Sequence, residues 1–217
     1  MTSVEPRARL SRARSTAPLD VVVVGGGGHV GLPLSLTFAQ AGMRVGIFDI
    51  AQETLDRVAA GEMPFLENGA DELLQEILQT DRLELSASPE LIGRAAVVVV
   101  VIGTPIDEFL NPSMAVFERT VDQLAPHLTS DMLVVLRSTV YPGTTAYVTQ
   151  ALADRGLKPD VAFCPERIAE GHALEEITSL PQIIGADEKR AGDRAEELFK
   201  RLGVQTIRTT TKEAELA

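Results

Sequence analysis

The residues best suited to chemistry open with Gly25-Gly26-Gly27-Gly28-His29-Val30-Gly31, which holds the spacing G-x-G-x-x-G at Gly26, Gly28 and Gly31. Each glycine has a physical use in such a loop. Gly26 permits a tight turn, Gly28 removes a side chain so that the backbone can approach a pyrophosphate, and Gly31 lets the following helix pack closely on its strand. The free N–H groups at the helix start, with the positive end of its dipole, then suit phosphate. His29 and Val30 belong to the same set of dinucleotide contacts. Eighteen residues past Gly31, Asp49 ends the run Gly46-Ile47-Phe48-Asp49. A carboxylate there can accept from both ribose hydroxyls of an adenosine and would repel a 2′-phosphate, which favours NAD over NADP. Thr54 is grouped with Asp49. Two alternatives stay open: Asp49 can cap the next helix, and FAD and S-adenosylmethionine proteins use related loops.

Two more clusters carry polar chemistry. Gly103-Thr104-Pro105 closes an apolar run, and at the carboxyl edge of a sheet Thr104 and Pro105 would reach the dinucleotide; Thr-Pro is also a common strand-end turn. The densest cluster is Cys164-Pro165-Glu166-Arg167-Ile168-Ala169-Glu170-Gly171. A glutamate there serves as a base near neutral pH only where burial raises its pKa. The alternative is a solvated loop with a Glu-Arg pair.

These residues need elements to hold them, and the chain supplies an alternation. β-branched apolar runs at 21–24, 44–48, 96–102, 132–136, 161–163 and 182–184 are followed by amphipathic stretches at 32–41, 52–60, 71–79, 115–124, 144–155 and 189–202. Gly42, Gly61, Gly156 and Gly203 stand where helix C-caps are expected. The pattern predicts an α/β fold with a doubly wound parallel sheet, Rossmann-like, in a single domain. Near-continuous apolar strands imply helices on both faces. The domain is expected over 18–217, after a disordered tail over 1–17 that carries Arg7, Arg9, Arg12 and Arg14.

Composition removes several classes. The formal charge of -11 over 217 residues disfavours nucleic acid as a partner, because that binding depends on Lys and Arg at phosphates. A single cysteine excludes an intrachain disulfide, three scattered histidines give no metal pattern, and no apolar run approaches the length of a membrane span. The composition fits a reducing cytoplasm.

Five stretches in order, GGGGHVGLPLSLTFAQAG, GEMPFLENGADELL, VVVIGTPID, RSTVYPGTT and FCPERIAEGHALEEITSLPQIIGA, resemble the UDP-glucose/GDP-mannose dehydrogenase family over residues 20–217. The resemblance implies an NAD-binding domain of a nucleotide-sugar 6-dehydrogenase, which oxidises the C6 alcohol of a UDP-sugar to the uronate with two NAD. Within the family the CPER form looks most like enzymes acting on UDP-N-acetylmannosamine or UDP-N-acetylglucosamine, whereas Glu170-Gly171 looks like the glucose type. Also by resemblance, Ser138 and Thr139 lie near the nicotinamide, with the Thr139 hydroxyl holding a catalytic water, and Glu166 contributes acid-base work. Arg167, Ile168 and Glu170 line the sugar-nucleotide site. An ST-turn at the strand end is the other reading of Thr139.

Cys164 stands where other members have Asn and is expected to be buried rather than nucleophilic. The family's catalytic cysteine lies in a later substrate domain, so the resemblance implies a chain that stops before the central helix and that domain and turns over nothing alone. It also implies a homodimer for the longer protein. Two other classes compete: a non-catalytic NAD-sensing module, and a hydroxyacid-type reductase, which shares the loop and Asp49 but not the CPER cluster.

Overall fold

The computed structural model describes residues 17–103 and 114–217; Thr104, Pro105 and positions 1–16 of the tail expected over 1–17 lie outside them. The strands are β1 (Leu19–Val24), β2 (Val45–Phe48), β3 (Leu83–Ser86), β4 (Ala95–Val100), β5 (Leu133–Leu136), β6 (Asp160–Phe163), β7 (Gln182–Gly185) and β8 (Thr206–Thr209). They form one sheet in the order β3-β2-β1-β4-β5-β6-β7-β8. Around it lie α1 (Gly31–Gln40), α2 (Gln52–Ala59), α3 (Ala70–Leu78), α4 (Met114–Leu124), α5 (Thr144–Asp154), α6 (Ala173–Ser179), α7 (Lys189–Lys200) and α8 (Thr211–Glu215).

The chain winds outward from β1 in both directions, and the reversal of order there makes a crevice at the carboxyl ends of β1 and β4. Side chains alternate across the strands. Val21, Val23, Val99, Leu133 and Val135 enter the core shared with α1, α2, α3 and α7. Val22, Val24, Val98, Val100, Val134 and Leu136 enter the core under α4 and α5. This double burial is why the central strands read as unbroken apolar runs.

The sheet is parallel, as expected, at every strand pair but one. β6 and β7 are antiparallel and register through a single pair, Phe163↔Gly185. A parallel β7 would require residues 164–181 to cross back to the amino edge. They stay at the carboxyl edge instead: the Cys164 amide donates to the Leu136 carbonyl and the Glu166 amide to the Arg137 carbonyl, and α6 packs against α1. With only that pair in register, the start of β7 projects beyond the end of β6 at the carboxyl edge of the sheet. The edge strands β3 and β8 and the short helices α6 and α8 were not expected. The four glycines proposed as helix stops all have positive φ.

Candidate functional site

The loop between β1 and α1 is shaped by close packing. Gly25 takes the left-handed backbone, with φ +76°, and a Cβ there would lie 1.9 Å from the Val101 carbonyl oxygen. The tight turn assigned to Gly26 therefore belongs to Gly25, while Gly26 is constrained by Ile47, whose side chain would meet its Cβ at 2.9 Å. Gly31 carries its expected role, since a Cβ would come within 2.4 Å of the Gly25 oxygen and 2.7 Å of the Gly26 Cα. Gly28 differs from all of these: its Cβ would meet only the Gly25 oxygen, at 3.6 Å, and the residue is exposed. The missing side chain at Gly28 leaves space facing outward.

No side chain caps α1, and its first turn holds no acidic residue. Among the described residues the amides of His29, Val30 and Gly31 have no acceptor, whereas the Leu32 amide already bonds to Gly28. An uncapped helix start behind an open glycine fits a diphosphate. Asp49 stands beside it, half-buried. One of its oxygens accepts from the Gly27 amide at 2.8 Å and the other from the Ala51 amide at 3.0 Å. The cap of α2 is Ala51, without a side-chain bond, so Asp49 forms a turn before that helix rather than capping it. Each carboxylate oxygen keeps a second lone pair for a hydroxyl donor. The Thr54 methyl closes the space over Gly27, and the His29 ring stacks on Phe65 with centroids 4.1 Å apart.

At the ends of β4 and β5 the Ser138 hydroxyl accepts from the Ile102 amide at 2.8 Å, which joins the two strands where the sheet opens. Thr139 is exposed, and its hydroxyl has no partner among the described residues, so the ST-turn is not formed. The turn after it is held from elsewhere: Glu215 at the end of α8 accepts from the Gly143 amide at 2.6 Å and the Thr145 amide at 2.8 Å. These bonds place a carboxylate at the α5 N-terminus, where the helix dipole favours it.

The Cys164–Gly171 segment is ordered by carboxylates, its own Glu166 and, from outside, Glu176 and Glu67. Glu166 turns inward, accepting from the Arg167 amide at 2.7 Å and the Ile168 amide at 3.0 Å with one oxygen and pairing closely with Arg137 through the other. The open loop with a Glu166-Arg167 pair is thus replaced by a buried Glu166-Arg137 pair. Arg167 is exposed, with its guanidinium on the Pro181 carbonyl; Ile168 is half-buried against the core, and Glu170 is exposed. Burial pushes the Cys164 thiol up to about 12, which fits an inert core residue.

Two functional contributors escaped sequence reasoning. Arg137 gives a faint signal as a cation directly after an apolar strand run. Glu67 gives none. It is buried at 6% exposure, and its carboxylate accepts from the Gly171 amide at 3.0 Å and the Leu174 amide at 3.3 Å. It thereby ties the loop after α2 to the turn beyond Glu170. Among the described residues no group of His, Cys, Asp and Glu could hold a metal, and no helix is long and apolar enough to cross a membrane.

Residues 20–203 match the model of the UDP-glucose/GDP-mannose dehydrogenase family, NAD binding domain. The chain belongs to that family. Its domain is the NAD-binding one, and its relatives are nucleotide-sugar dehydrogenases. A UDP-N-acetyl-D-mannosamine dehydrogenase of Pyrococcus horikoshii is 29% identical over 184 residues, covering 82% of this chain and 44% of that protein. A UDP-glucose 6-dehydrogenase of Pseudomonas aeruginosa is 31% identical over 182 residues, covering 80% and 40%. The solved structure of UDP-D-ManNAc dehydrogenase from Pyrococcus horikoshii superposes with a TM-score of 0.86 at 27% identity, covering 91% of this chain and 48% of that one. The chain thus spans less than half the length of these relatives.

Proposed function

We propose that this chain is the NAD-binding part of a UDP-sugar 6-dehydrogenase, with UDP-N-acetylmannosamine as the sugar nucleotide. The observation that carries the reading is the uncapped start of α1 behind the open Gly28, with Asp49 fixed beside it by the Gly27 amide. Gly26, Gly28, Gly31 and the amides of His29 and Val30 hold the diphosphate. Asp49 and Thr54 face the adenosine ribose, and Thr104, Pro105, Ser138 and Thr139 line the nicotinamide side. Bound NAD supplies the hydride acceptor for the C6 alcohol.

The exposed Thr139 hydroxyl, able to donate and accept, orients a water there. Arg167, Ile168 and Glu170 face the sugar nucleotide. Glu166, the other residue proposed for acid-base work, is supported in that role by its place at the carboxyl edge, where Arg137 and two amides hold its carboxylate. In the enzyme so proposed the nucleophilic cysteine comes from a substrate domain, and two copies pair as a homodimer.

UDP-glucose is a second reading, favoured by Glu170-Gly171 and by the 31% identity to a UDP-glucose 6-dehydrogenase. Calorimetric titration with NAD and NADP tests the cofactor: NAD is expected to bind at one site and NADP more weakly. Equal affinity, or no heat with NAD, would remove the assignment. The sugar is tested by NADH release from a chain extended through a substrate domain, supplied in turn with each UDP-sugar.

A further inference from the structure

Arg137 is the most deeply buried cation among the described residues, at 2% exposure, and nothing in the dinucleotide site requires it. Its guanidinium gathers three segments. It pairs with the Glu166 carboxylate, donates to the Gln182 side chain at 2.7 Å and to the Cys164 carbonyl at 3.4 Å, and lies 5.3 Å from the centre of the Phe199 ring. Gln182 in turn donates to the Pro165 carbonyl at 3.2 Å. A buried ion pair of this kind is a poor source of stability, because apolar residues of like volume usually do as well. Its constraint falls on a particular place. The Glu166 oxygen not facing Arg137 receives the amides of Arg167 and Ile168, so the guanidinium sets the turn from which those two side chains project.

We propose that Arg137 is a positioning residue for the sugar-nucleotide side of the site: by holding the Glu166 carboxylate it fixes the direction in which Arg167 and Ile168 are presented. The proposal rests on the reading of residues 166–168 given above. It requires the planar fork of arginine, since the lysine ammonium is a compact point charge on a flexible stem and presents no fixed set of directed donors.

The test is residue-resolved amide hydrogen exchange on Arg137→Lys, and on the double variant Arg137→Met with Glu166→Gln. The double variant removes both charges and so avoids stranding a buried carboxylate if the single changes fail to fold. Exchange at the Arg167 and Ile168 amides is expected to rise about tenfold, the loss of roughly one charge-assisted bond, while Val99 and Val134 in the sheet stay within about twofold. A uniform rise across the sheet would show a merely structural role and overturn the proposal, as would continued protection of the two turn amides. A separate NAD titration of the unsubstituted chain keeps the cofactor reading independent of this outcome.

Discussion

Three ionisable side chains, Asp49, Glu67 and Cys164, do three different jobs, each decided by what surrounds it. Asp49 already receives two amides, so replacing it by Ala should both free the Gly27 amide and weaken NAD binding by about 1–3 kcal/mol; an unchanged calorimetric Kd would leave Asp49 with its turn alone. Glu67, buried among amides, is purely a fastener in this structure. Glu67→Ala should lower the urea-unfolding free energy by about 1–3 kcal/mol, and Glu67→Gln, which keeps an acceptor, should lose less. At the other extreme Cys164, with its thiol pushed up to about 12 by burial, should react with a thiol reagent at neutral pH only as fast as the protein opens.

At the scale of the elements, the β1–α1 unit separates packing from binding. Gly31→Ala would press a methyl onto the backbone of Gly25 and Gly26 and should unfold or strongly destabilise the domain. Gly28→Ala meets only a contact at 3.6 Å and should leave the thermal midpoint nearly unchanged while cutting NAD affinity; loss of fold in Gly28→Ala would contradict the open space assigned to it. The β6–α7 contact carries a pH dependence. Burial of Asp160 raises its pKa, but hydrogen bonds from Arg194 and Arg190 outweigh that and set it below the ordinary 3.8. The folded-state value lies below the unfolded one, so the contribution is complete above about pH 4 to 5 and is lost as pH falls toward the depressed value. Asp160→Asn should flatten that part of the curve of unfolding free energy against pH.

For the whole molecule, a cofactor bound only by the folded state must raise its stability: at a hundredfold excess over Kd, NAD should add about 2.7 kcal/mol, read as a higher thermal midpoint, with NADP giving less. The fold that would respond was legible where strands are covered on both faces. β1, β4 and β5 send alternate side chains into the cores on their two faces, and a strand covered on both faces needs apolar side chains, mostly Val here. The glycine stops and the close-packed loop glycines Gly25, Gly26 and Gly31 were equally local, since a positive φ favours glycine and a sub-3 Å approach leaves no room for a Cβ. What lay beyond local reading follows a common cause. β3 (LELS) and β8 (TIRT) are edge strands, half-buried or exposed along their length, so their composition carries no strand signature. The reversal of β7, the burial of Glu67 and the pairing of Arg137 with Glu166 join residues far apart in sequence, where no periodicity records the partner. The amino-acid order by itself determined the wound sheet and the glycine-lined helix start. The tertiary structure decided which carboxylates are buried and which way the last strands run, because those depend on desolvation and on partners that only folding brings together.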